Sequence, residues 1–67
     1  MIDTDALRAE WVKNGMRQQD VAISIVGVTP KTFSLKLKRG VLGSDEIERL
    51  IIGLHIEKPM DIFFKTG

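Results

Sequence analysis

Apolar residues recur along the chain at three- and four-residue intervals, the spacing of one helix face. Leu7 and Trp11 lie four apart behind Asp3 and Asp5, either of which suits the cap of a first helix. Asn14-Gly15 reads as its stop. A second helix is predicted from Gln18 to Ile25 or Val26, with Val21, Ala22 and Ile25 facing inward. Arg17, just ahead of it, is a poor cap because its side chain accepts no hydrogen bond. Gly27 breaks that helix, and Thr29-Pro30 then gives the clearest start in the chain, a capping hydroxyl followed by a proline whose missing N–H costs nothing there. The third helix is predicted to run from Pro30 to about Lys38 and to end before Gly40. Val41-Leu42-Gly43 reads as a linker and Ser44 as the cap of a fourth helix, with Ile47, Leu50, Ile51 and Leu54 at helical spacing. Gly53 weakens its last turn. Pro59 opens a short fifth helix carrying Met60, Ile62, Phe63 and Phe64. The expectation is an all-α fold of five short helices, one domain over residues 1–67.

Composition narrows what such a domain does. With no cysteine and one histidine, disulfides, cysteine-ligated metal and a multi-histidine site are excluded within one chain, and no metal or cofactor is expected. His55 reads as a helix-end residue and Trp11 as a core anchor. No apolar run approaches the ~18 residues of a membrane span, and no basic-then-apolar leader opens the chain, so a cytoplasmic setting is expected. The acids sit at helix starts rather than converging as an acid–base pair, and no phosphate-cradling glycine loop is present, so an enzyme is not expected. Net charge is only +1, but it is unevenly spread. No acid occurs between Val21 and Ser44, where Lys31, Lys36, Lys38 and Arg39 fall, and five acids follow (Asp45, Glu46, Glu48, Glu57, Asp61). A basic middle of this kind suits a phosphate backbone, or is simply a solvated cationic helix.

Two helices joined by a short glycine turn, over roughly residues 18–38, form a helix-turn-helix pattern. Gln-Gln-Asp-Val-Ala (18–22) opens the second helix, and Gly-Val-Thr-Pro-Lys-Thr-Phe-Ser (27–34) covers the turn and the third. An acid-capped Glu-Ile-x-x-Leu helix (46–50) and an Ile-Phe-Phe tail (62–64) follow. In these motifs the chain resembles the Cro and lambda-repressor-like family of phage regulators, over residues 6 to 64. It looks most like the small Cro-like or modulator-of-repression proteins of temperate phages of Gram-positive bacteria. The resemblance implies a compact five-helix domain in the host bacterial cytoplasm that reads operator DNA in a lysis–lysogeny switch, with Gln18 and Gln19 toward the DNA. Alternatively, it implies an antirepressor that binds the N-terminal domain of the cognate phage repressor. Two positions depart from the pattern. Ala22 and Gly27 are five apart rather than the usual four, which lengthens the second helix or bulges its end, and Arg17 stands where Thr or Ser is usual.

The third helix explains its own chemistry when drawn as a wheel. Phe33 and Leu37 point inward, while Lys31, Ser34, Leu35 and Lys38 lie about 100–200° away. Lysine and serine suit base edges and phosphates, Lys36 and Arg39 flank that face, and Thr29 and Thr32 stand near the helix N-terminus. Leu35 is discordant, and packs either on a thymine methyl or against a protein. Val41 and Leu42 are placed to extend its apolar patch. In the tail, Phe63 and Phe64 are about 100° apart, so one enters the core and the other is left near solvent. Beside Ile62, an exposed Phe64 would form a homodimer or repressor contact, or else the segment is a plug over a thin core. One module makes few phosphate contacts, so a dimer is the expected operator-binding form.

Overall fold

The computed structural model describes residues 2–64. It is all-helical, with five helices and no strand among the described residues. α1 spans Thr4–Lys13, and the Asp3 side chain ahead of it accepts the Ala6 N–H at 3.1 Å. Asn14 does more than stop this helix. Its side-chain amide donates to the carbonyls of Glu10 (2.8 Å) and Leu54 (3.2 Å), tying together the C-terminal ends of α1 and the fourth helix.

α2 begins as an α-helix, Gln18–Asp20, and continues as a π-helix, Val21–Val26. Arg17 makes no side-chain cap, but Asp20 reaches back and accepts the Arg17 N–H at 3.1 Å. The π segment is where the five-residue spacing from Ala22 to Gly27 is absorbed. The N–H groups of Gly27 and Val28 both converge on the Ala22 carbonyl, at 2.8 and 2.9 Å. Gly27 sits at φ +84°, a conformation that other L-residues adopt only with strain, so the chain turns sharply there. The wide turn also changes which side chain is buried. In an α-helix Val26 would stand about 140° around from Val21, five steps of about 100°. The wider turn brings it back beneath Val21, so Val26 is buried and Ile25, expected to face inward, is half-buried. Arg49, from the fourth helix, donates to the Val26 carbonyl at 3.0 Å and occupies an acceptor at the widened end.

A deletion series tests this account of the surplus residue. Removing exposed Ser24 places Val26 four positions after Val21, so the segment closes as an α-helix and the fold is expected to persist. Removing Ser34, also exposed but within regular helix, rotates everything after it by about 100°, moving Leu37 to the place of Lys36 and driving Lys38 into the half-buried place of Leu37. Thermal melts followed by circular dichroism should show a cooperative transition for the first deletion and none for the second.

α3 spans Pro30–Arg39, and the Thr29 hydroxyl accepts the Thr32 N–H at 3.2 Å, as the Thr-Pro pair implied. α4 spans Ser44–Leu54, with its cap shifted by one from expectation. Ser44 is its first helical residue and Gly43 stands at the cap. The function passes to Glu46, whose carboxylate accepts the Gly43 N–H at 2.9 Å. Gly53, read from sequence only as a weak point, is a contact. A β-carbon there would lie 2.9 Å from Ile25 Cγ2 and 3.1 Å from its Cγ1, so both branches of Ile25 block it. Gly53→Ala, worth about 1 kcal/mol of added stability in an open helix, is expected to destabilise this protein and lower its melting temperature. α4 ends at His55, which adopts the left-handed conformation at φ 54° without being glycine.

α5 spans Pro59–Phe63, and the Ile62 carbonyl accepts the Asp3 N–H at 2.7 Å, which pins the short helix across the start of α1. Its orientation corrects one expectation. Ile62 is buried with Phe63 in the core and is not available to a partner, while Phe64 is left 54% exposed. Leu42 is likewise withdrawn, packed against the core rather than extending a surface patch. At the centre, Trp11 and Phe33 meet with ring centroids 5.9 Å apart at a tilt of 54°, so α1 is anchored directly on α3.

Candidate nucleic-acid interface

The three-residue turn Gly27–Thr29 launches α3 with Phe33 fully buried and Leu37 half-buried beneath it. With that edge anchored, the opposite edge is fixed by helix geometry. Lys31, Thr32, Ser34, Leu35, Lys38 and Arg39 are all exposed. Thr29 stands beside them with its hydroxyl committed, accepting the Thr32 N–H and donating to the Thr32 hydroxyl at 2.8 Å. Thr32 therefore keeps its own proton for an outside acceptor. Gln19 is exposed and Gln18 half-buried at the start of α2.

Lys36 does not join this face as a free cation. Its ammonium lies 2.9 Å from the Glu46 carboxylate, at the joint between α3 and α4. Burial pushes the Glu46 carboxyl up, but Lys36, the Gly43 N–H and nearby Arg49 outweigh it and hold the group below its ordinary value. The stabilisation from this lowered carboxyl is full above the unfolded carboxylate range and is lost as pH falls through the lower folded value. Glu46→Gln is therefore expected to lower stability at neutral pH and to flatten the acid limb of a stability–pH curve.

A shallow cleft adjoins the exposed face, lined by Thr4, Arg8, Trp11, Gln18, Ser34, Leu37 and Lys38. It brings Gln18 of α2 together with Ser34 and Lys38 of α3, and it adds Arg8 of α1, which sequence reasoning did not single out. Neither Arg8 nor Lys38 is paired to a carboxylate among the described residues. Two unpaired cations, two hydroxyls and an amide around one cleft suit an oxyanion such as a backbone phosphate. A signal for Arg8 was present in the sequence. Thr4, Arg8 and Trp11 share one stripe of α1 at four- and three-residue spacing, and Trp11 is the residue that docks on Phe33.

The residues expected to meet a protein partner do not form one surface. Leu35 and Val41 are 46% and 66% exposed, but Leu42 and Ile62 turn inward. Phe64 is left exposed instead, as is Met60, four residues earlier on α5 and 66% exposed. Among the described residues no cluster of three or more His, Cys, Asp or Glu is placed to hold a metal ion, and no helix is long and apolar enough to cross a membrane. Compared with known proteins, the chain matches no family model, no curated protein and no solved structure.

Proposed function

We propose that this protein is a sequence-specific DNA-binding regulator of the Cro-like kind, a component of a phage lysis–lysogeny switch, with α2 and α3 as its helix-turn-helix. In this role α3 lies in the major groove of operator DNA, with Lys31, Thr32, Ser34 and Lys38 toward base edges. Gln18, Gln19, Arg39 and Arg8 hold phosphates, while Lys36 remains with Glu46. The observation that carries the proposal is the division of α3. One edge is locked in the core through Phe33, and the other presents unpaired lysines and hydroxyls to solvent. Selection from random duplex DNA tests it: enrichment of a defined half-site supports it, and recovery of unrelated sequences opposes it.

A second reading is favoured by the exposure of Met60 on α5 and of Phe64 just past its end, namely an antirepressor that binds the phage repressor's N-terminal domain. Gel shifts separate the two. Tight binding by the pure protein supports the first, whereas weak binding alone with an altered repressor–DNA band supports the second. Phe64→Ser should abolish only the latter.

A further inference from the structure

Resting on the assignment of α3 to the major groove, we infer that Leu35 is the residue by which this helix recognises thymine, its side chain covering the 5-methyl group of one thymine in each half-site. Leu35 is the one large hydrophobic residue of α3 that is exposed, at 46%. Its neighbours one turn away are Lys31, Thr32, Lys38 and Arg39, and all four are exposed. An apolar side chain ringed by cations and a hydroxyl has two uses, a protein contact or a base contact. A contiguous apolar patch of several hundred Å² marks a protein contact. Neither apolar residue that follows α3 extends one from Leu35, because Leu42 packs on the core and Val41 lies beyond Gly40, where the chain has left the helix.

Base chemistry fits the residue better. In the major groove thymine alone among the four bases presents a methyl group, and the other edges present hydrogen-bonding atoms. Leucine gains by covering the methyl. Over any other base it would strip water from a donor or acceptor and offer nothing in return. Leu35 therefore favours thymine and disfavours its competitors at a single position, and the lysines one turn to either side fix the helix while it does so.

The test begins with selection by the pure protein from a random duplex pool. Each thymine of the enriched site is then replaced singly by uracil, which lacks only the methyl group. One thymine per half-site should show about a fourfold loss on replacement, the worth of one buried methyl. Leu35→Ala should bind the thymine and uracil forms of that site equally, with an unchanged circular dichroism spectrum. The assignment is overturned if no thymine is sensitive, if Leu35→Ala retains the sensitivity, or if Leu35→Ala leaves DNA affinity intact and abolishes binding to the phage repressor. Failure to enrich any site would remove the DNA-reading role of α3 and the inference with it. An enriched site indifferent to uracil would remove only the role of Leu35.

Discussion

Phe33→Ala is expected to leave the protein largely unfolded in the absence of denaturant. Phe33 is fully buried, stacks at a tilt on Trp11 and is the main anchor of α3. Truncating a buried phenylalanine costs about 3–5 kcal/mol, from lost transfer energy and from the cavity left behind. A chain of this length holds only about 3–10 kcal/mol in all, so the cavity consumes much or all of it. Urea unfolding followed by Trp11 fluorescence checks this directly, because the reporter touches the deleted ring. Leu35→Ala, two positions away but on the exposed edge, is the control and should stay within about 0.5 kcal/mol of the parent. A small loss at Phe33, or a similar loss at both positions, would mean that α3 is not anchored as described.

The second large effect concerns affinity. Replacing Arg8 and Arg39, the two cations assigned to phosphates, together by alanine should weaken duplex binding by about thirtyfold at physiological salt. Each phosphate contact contributes about −0.9 to the log–log salt slope, which amounts to about fivefold per contact at 0.15 M salt. The slope should become shallower by up to about two in the double variant and by about one in each single variant. Arg8→Ala separates the cleft from the helix face. It should weaken binding evenly across sequences, as a phosphate contact does, without changing which half-site is preferred. Both side chains are solvent-exposed, so the fold should be unaffected.

Much of this fold was legible because its boundaries are written in local chemistry. Thr29-Pro30, Pro59 and Asp3 start helices where expected, and of the adjacent Phe63 and Phe64 one is buried and the other exposed, as expected. Most of what escaped prediction depended on contacts distant in sequence. The spacing of Ala22 and Gly27 announced a surplus residue, but not whether it would extend the helix or widen it. Gly53, which lets α4 approach Ile25, and Arg49, which bonds the Val26 carbonyl, both act from α4 on that segment. The shift of the α4 cap from Ser44 to Gly43 is instead local, since Glu46, three residues on, serves the exposed N–H while also holding Lys36. Ile62 was misplaced because a five-residue helix has too few turns to define a face, and its orientation is set by the Asp3–Ile62 bond. Of the candidate interface, the α3 face was readable from its own periodicity. Arg8 joins it only through the packing of Trp11 on Phe33.

The most direct test is a titration of the isotopically labelled protein with a selected half-site duplex, following backbone amide shifts by nuclear magnetic resonance. If α3 is the DNA-reading helix, the largest changes fall on Lys31, Thr32, Ser34, Leu35 and Lys38, with smaller ones on Arg8 and Gln18, and α5 is silent apart from any dimer contact. Changes concentrated at Met60 and Phe64 with α3 unperturbed would contradict it.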